Sequence, residues 1–130
     1  MSDFFALQIG INYKSKRESV LSGCVNDITN TAVFWQRLGI AFRAHIVCSD
    51  ESNAIPCTVR KGALRRDIIA GMSEIEQAMR SSPAPNKFLF FNFSGHGTRV
   101  RDVSGDEQDG MDEAICPLDY DAPPPTAALS

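Results

Sequence analysis

The chain has 130 residues, 43% of them hydrophobic, and a formal net charge of −3. That length fits one domain, and that apolar content can build a core and excludes wholesale disorder. No apolar run approaches the ~20 residues that cross a bilayer, and the start Met1-Ser2-Asp3-Phe4-Phe5 lacks the basic segment and cleavage pattern of a secretory signal, so a cytoplasmic protein with no membrane partner is the expectation.

Residues 5–12 read as a first buried strand, followed by a polar, basic loop from Tyr13 to Glu18. From Cys24 the pattern turns helical: Val25, Ile28, Ala32, Trp35 and Leu38 recur at three- and four-residue steps. Asn26 or Asp27 is placed to cap the start, and Gly39 to stop the end. Phe42 to Val47 reads as a second strand, then a polar loop runs through Pro56. Leu64, Ile68, Ile69, Met72, Ile75 and Met79 mark one face of a second helix, ended by Ser81-Ser82-Pro83-Ala84-Pro85. Phe88 to Phe93 reads as a strand buried on both faces. An acidic, glycine-punctuated loop follows, then a short strand at Ala114-Ile115-Cys116 and a Pro-rich loose tail over residues 122–130. Strands alternating with helices predict βαβ units and a mainly parallel sheet covered on both faces.

The charge is divided. Residues 1–101 hold all 13 Lys and Arg against eight acids, whereas Asp102 onward holds eight carboxylates and no base. Arg60, Lys61, Arg65 and Arg66 have no aromatic interleaving and are assigned to a solvated helix face, so no nucleic-acid partner is expected. Cys24, Cys48, Cys57 and Cys116 form no C-x-x-C pair, and with only His45 and His96 beside them they do not read as a zinc site. They are expected to be reduced thiols.

Phe93-Ser94-Gly95-His96-Gly97 carries the strongest chemical signal. In open α/β sheets, functional groups sit just past the carboxyl ends of strands, and a histidine displayed there suits general-base chemistry. Ser94 is not read as a nucleophile, because Asn92-Phe93-Ser94-Gly95-His96 lacks the first glycine of a G-x-S-x-G elbow. The acidic loop fails as an EF-hand: placing Asp109-Gly110 at positions five and six puts Gly105 where an acid is required.

Five blocks in order resemble the metacaspases, caspase-fold cysteine endopeptidases of fungi, plants and protists. They are residues 7–13 (Leu-Gln-Ile-Gly-Ile-Asn-Tyr), 21–27 (Leu-Ser-Gly-Cys-Val-Asn-Asp), 91–97 (Phe-Asn-Phe-Ser-Gly-His-Gly), 105–113 and 117–120 (Pro-Leu-Asp-Tyr). The resemblance implies a caspase-like αβα sandwich over residues 1–121, incomplete in this chain. It implies His96 as the catalytic histidine, the Gly97 amide as an oxyanion donor, and cleavage of protein or peptide substrates after Arg or Lys. Cys24, Asp27 and Ser94 match the pocket for that basic side chain, and Asp112 matches one ligand of an activating calcium ion.

The chain also departs from the family. No Asp-x-Cys-His-Ser-Gly nucleophile block and no Asp-Asp-Glu calcium block occur in it, and Cys116 lies only 20 residues after His96, against about 50 in caspase-type enzymes. Cys116 is therefore read as structural, and the chain as inactive alone. At most four strands of an expected six predict an uncovered sheet edge and self-association. The alternative is a non-enzymatic pseudoprotease that binds calcium or a partner. A third reading, with Cys116 as an unusual nucleophile, requires thiol-dependent cleavage that is lost on Cys116→Ala.

Overall fold

A computed structural model describes residues 1–51, 54–101 and 111–120, apart from the side chains of Val100, Arg101, Met111 and Asp112. The expected acidic loop from Asp102 to Gly110 and the expected tail lie outside these residues.

Four strands form a parallel sheet in the order β3-β2-β1-β4. They are β1 (Ser2–Gly10), β2 (Phe42–Ser49), β3 (Val59–Lys61) and β4 (Asn86–Ser94). Helix α1 (Cys24–Arg37) links β1 to β2, and α2 (Arg65–Ser81) links β3 to β4. Side chains alternate across the strands, so the two helices cover opposite faces. Ile46 and Cys48 pack with Phe5, Leu7, Ile9 and, from α2, Ile68 and Ile75. Val47 points the other way, with Val25, Ile28 and Ala32 of α1. The predicted αβα layering and mainly parallel sheet are thus present. Burying each such aliphatic side chain contributes about 1.5–3 kcal/mol.

Several expectations are corrected. The β4 strand is not buried on both faces: Phe88, Leu89 and Phe91 are 55%, 44% and 47% exposed. Among the described residues it is the sheet's edge, pairing β1 alone, so its apolar run has no neighbour there on the far side. Arg60 and Lys61 lie on β3 rather than a helix; three residues are too few for a period to register. Of this basic group Lys61 is ion-paired, to Glu74 at 2.7 Å. Ala114 and Ile115 do form a strand, but in a separate antiparallel hairpin of β5 (Gly97–Arg101) and β6 (Met111–Ile115). Neither Asn26 nor Asp27 caps α1. Asn12 does so from the end of β1, its Oδ1 accepting the Cys24 and Val25 amides at 2.9 and 3.3 Å. Gly39 ends the turn after α1 with φ +77°, as its position predicts. All four cysteines are free thiols.

Candidate active site

The carboxyl ends of β1 and β4 converge on His96. The residues past β1 do not continue the strand. Ile11 donates its N–H to the Ser94 carbonyl at 3.0 Å, and Tyr13 then adopts φ +57°. A bulky residue in this left-handed region is strained and must be held there. The Asp50 carboxylate, at the end of β2, accepts the amides on either side, Asn12 at 2.9 Å and Lys14 at 3.1 Å. Glu51 accepts the Asn12 side-chain amide at 2.7 Å.

Held this way, Tyr13 is 2% exposed and reaches across to the histidine loop. Its hydroxyl accepts the His96 N–H at 2.8 Å and donates to the Cys116 carbonyl at 2.6 Å. The Cys116 N–H returns to the His96 carbonyl at 3.0 Å, closing a ring of backbone contacts. Gly95 is required here: a Cβ on it would lie 2.8 Å from the Tyr13 hydroxyl and 2.8 Å from the Phe93 ring. Burial raises the Tyr13 pKa far above its ordinary value of 10, outweighing the His96 amide that lowers it, so the hydroxyl stays neutral.

The His96 imidazole is fixed at one nitrogen. Its Nε2 lies 2.7 Å from the Ser19 carbonyl. A carbonyl can only accept, so Nε2 carries the proton and Nδ1 is left as the base. The Ser19 loop is anchored in turn by Lys16, whose Nζ donates to the Tyr120 carbonyl at 2.5 Å. A 570 Å³ cavity opens beside the ring, walled by Tyr13, Arg17, Ser19, Gly97, Cys116 and Tyr120 among others.

The other expected residues fall into two groups. Ser94 donates its hydroxyl to the Asp27 carboxylate at 2.9 Å, and Cys24 opens the same first turn of α1. Sequence positions 24, 27 and 94 are therefore brought together at the ends of β4 and α1, and Ser94 is turned to Asp27. Gly97 begins β5 directly after His96. Cys116 is 2% exposed, and burial raises its thiol pKa, the opposite of an activated nucleophile. Among the described residues no three His, Cys, Asp or Glu side chains cluster as a metal site. The Asp112 side chain lies outside the described residues. No helix among them is long and apolar enough to cross a membrane.

Sequence reasoning missed Asn12, Tyr13, Ser19 and Asp50. For Asn12, Tyr13 and Asp50 the one signal was a polar residue placed just beyond the carboxyl end of a buried strand. Ser19 acts through its backbone, which no residue type encodes.

Residues 5–124 match the family described as the metacaspase, peptidase C14 domain. The chain is 37% identical over 116 residues to Metacaspase-1B of Aspergillus fumigatus, covering 88% of this chain and 26% of that protein. It is 39% identical over 116 residues to Metacaspase-1 of Cryptococcus neoformans, covering 88% and 23%. Metacaspase-1 of Ajellomyces capsulatus is 35% identical, with 88% and 30% covered. The chain belongs to the metacaspase family, matching its peptidase C14 domain in a partial caspase-like fold. It spans about a quarter of the length of these relatives.

Proposed function

We propose that this domain serves hydrolysis of peptide bonds after Arg or Lys, with His96 as its acid–base residue. The observation that carries the reading is the contact of His96 Nε2 with the Ser19 carbonyl. It fixes the tautomer in which Nδ1 takes a proton from a thiol and later gives it to the leaving amine. The resulting thiolate attacks the carbonyl carbon, and the Gly97 amide steadies the oxyanion. The Asp27 carboxylate, oriented by Ser94, supplies a charge-assisted bond to the guanidinium or ammonium of the substrate, with Cys24 at the pocket wall.

The 130 residues alone do not cleave, in this reading. None of their four cysteines lies in an Asp-x-Cys-His-Ser-Gly block, and Cys116 is buried with its thiol held protonated. The test is a chimera that joins residues 1–120 to the nucleophile-bearing part of the Cryptococcus relative. Cleavage after Arg and Lys that vanishes on His96→Ala is expected. Equal cleavage by the His96→Ala chimera overturns the reading.

A second reading, a binding module, is favoured by the exposed apolar edge at β4. Its occupant in this reading is a second copy of the chain, pairing strand to strand. For calcium, Asp112 supplies one of the six to eight oxygens the ion requires. Calorimetric titration with calcium, compared between wild type and Asp112→Ala, tests that part; identical heats overturn it.

A further inference from the structure

Tyr13 is a large, fully buried side chain that takes no part in the chemistry above, yet its polar atom is fully used. A phenylalanine would fill the same space without burying a hydroxyl, which costs stability unless it is bonded. Both bonds of this hydroxyl go to the catalytic loop and its neighbour, at His96 and Cys116. The phenol ring also lies against the imidazole, with centroids 4.7 Å apart and planes at 42°. The backbone that presents it is left-handed. Such strain, about 1–3 kcal/mol, persists only where the surroundings over-determine it. Asp50 does this by accepting the amides of Asn12 and Lys14 on both sides of Tyr13.

We infer that Tyr13 is the positioning residue of His96, and that Asp50 is the clamp that sets it. The hydroxyl fixes the His96 backbone, the ring limits rotation of the imidazole, and the turn carries the chain on to the Ser19 carbonyl that holds Nε2. Loosening any of these lets the imidazole exchange between tautomers. The inference rests on the reading of His96 as the base, but it concerns the ring's orientation and needs no substrate to test.

The chain has only two histidines, and they serve as probe and control. His45 sits across the sheet, 2.8 Å from the Gln8 amide, and shares no contact with Tyr13. Ring ¹⁵N shifts of both would be recorded by NMR in wild type, Tyr13→Phe and Asp50→Asn. Wild type is expected to show His96 protonated at Nε2, with well-separated ¹⁵N shifts. In Tyr13→Phe the two His96 shifts move toward each other and the His96 backbone amide exchanges about fivefold faster, as loss of one hydrogen bond dictates. The His45 shifts stay in place. A residue that merely filled the core would leave the tautomer untouched, so unmoved His96 shifts with intact His45 shifts overturn the inference. If Tyr13→Phe fails to fold, seen as loss of the His45 pattern, Asp50→Asn decides: it keeps the hydroxyl and removes one of the two acceptors that hold the turn, and unmoved His96 shifts there overturn the inference equally. A failed chimera assay with the NMR result as expected removes the peptidase reading and leaves the positioning intact.

Discussion

The Ser94 hydroxyl donates to the Asp27 carboxylate at 2.9 Å, joining the end of β4 to the first turn of α1. One carboxylate oxygen is thereby engaged, and in the proposed reading the other meets the cation of the substrate. If the proposed pocket holds, Asp27→Ala in the chimera removes a bond of about 1.5–3 kcal/mol, and kcat/KM for an Arg substrate should fall roughly ten- to a hundredfold. Ser94→Ala keeps the charge and should cost less than Asp27→Ala. Competition between Arg- and Gln-containing peptides measures it. An unchanged preference for Arg in Asp27→Ala would place the specificity elsewhere.

A buried polar chain crosses the sheet from Asn92 through Gln8 to His45, at 3.0 and 2.8 Å. Burial lowers the His45 pKa from its ordinary 6.5. Between that value and the lowered one, the unfolded chain binds a proton that the folded chain refuses. Stability therefore rises with pH through this window, is fully present above 6.5, and is lost as pH falls below it. Thermal melts from about pH 7.5 to 5 should show Tm dropping below 6.5. The drop should be shallower in His45→Gln, and an identical slope in both proteins would remove His45 as the cause.

What the sequence made legible follows from how locally each feature is encoded. Both helices announce themselves, since Val25, Ile28 and Ala32, then Ile68 and Ile75, fall on buried faces at helical spacing. Short motifs singled out His96, Asp27 and Ser94, whereas the Ser94–Asp27 hydrogen bond emerged only in the fold. The exposure of β4 was not, because burial is set by which strand lies beside it, and Phe88–Phe93 reads the same at an edge or a centre. The cap of α1 was likewise hidden: Asn12 reaches the helix across 12 residues of sequence. The Tyr13 turn depends on a carboxylate 37 residues away, so no window of sequence contains its cause.

Thiol reactivity separates the structural cysteines from a nucleophile. Burial pushes the Cys48 thiol up to about 12 and raises those of Cys116 and Cys57. Only Cys57 is partly exposed; the other three are buried. Iodoacetamide should label Cys57 first in the native protein, while Cys48 and Cys116 await unfolding. In the chimera, Cys116→Ala should still cleave, because it removes only a buried thiol and keeps the Cys116 carbonyl that Tyr13 bonds. Rapid native alkylation of Cys116, read by peptide mass spectrometry, would revive it as a nucleophile.

The β4 edge sets the last expectation. Among the described residues its nine residues pair on one side only, and Phe88, Leu89 and Phe91 are exposed along them. Lys87 is the one charge in the strand. Edges are ordinarily kept apart by charges, bulges or covering segments. A single lysine at the start of nine residues gives little such protection, and two copies in antiparallel register can satisfy each other's backbone groups. Sedimentation of the 130-residue chain should therefore depend on concentration. Leu89→Lys puts a charge at mid-strand on a half-exposed site, where it leaves the buried core intact but must be desolvated on pairing. That variant should sediment as a monomer at concentrations where wild type associates, with its melting transition within a few degrees of wild-type monomer. A wild-type chain that stays monomeric up to about millimolar concentration would mean that β4 is shielded by residues outside those described, and the second-copy reading would fall.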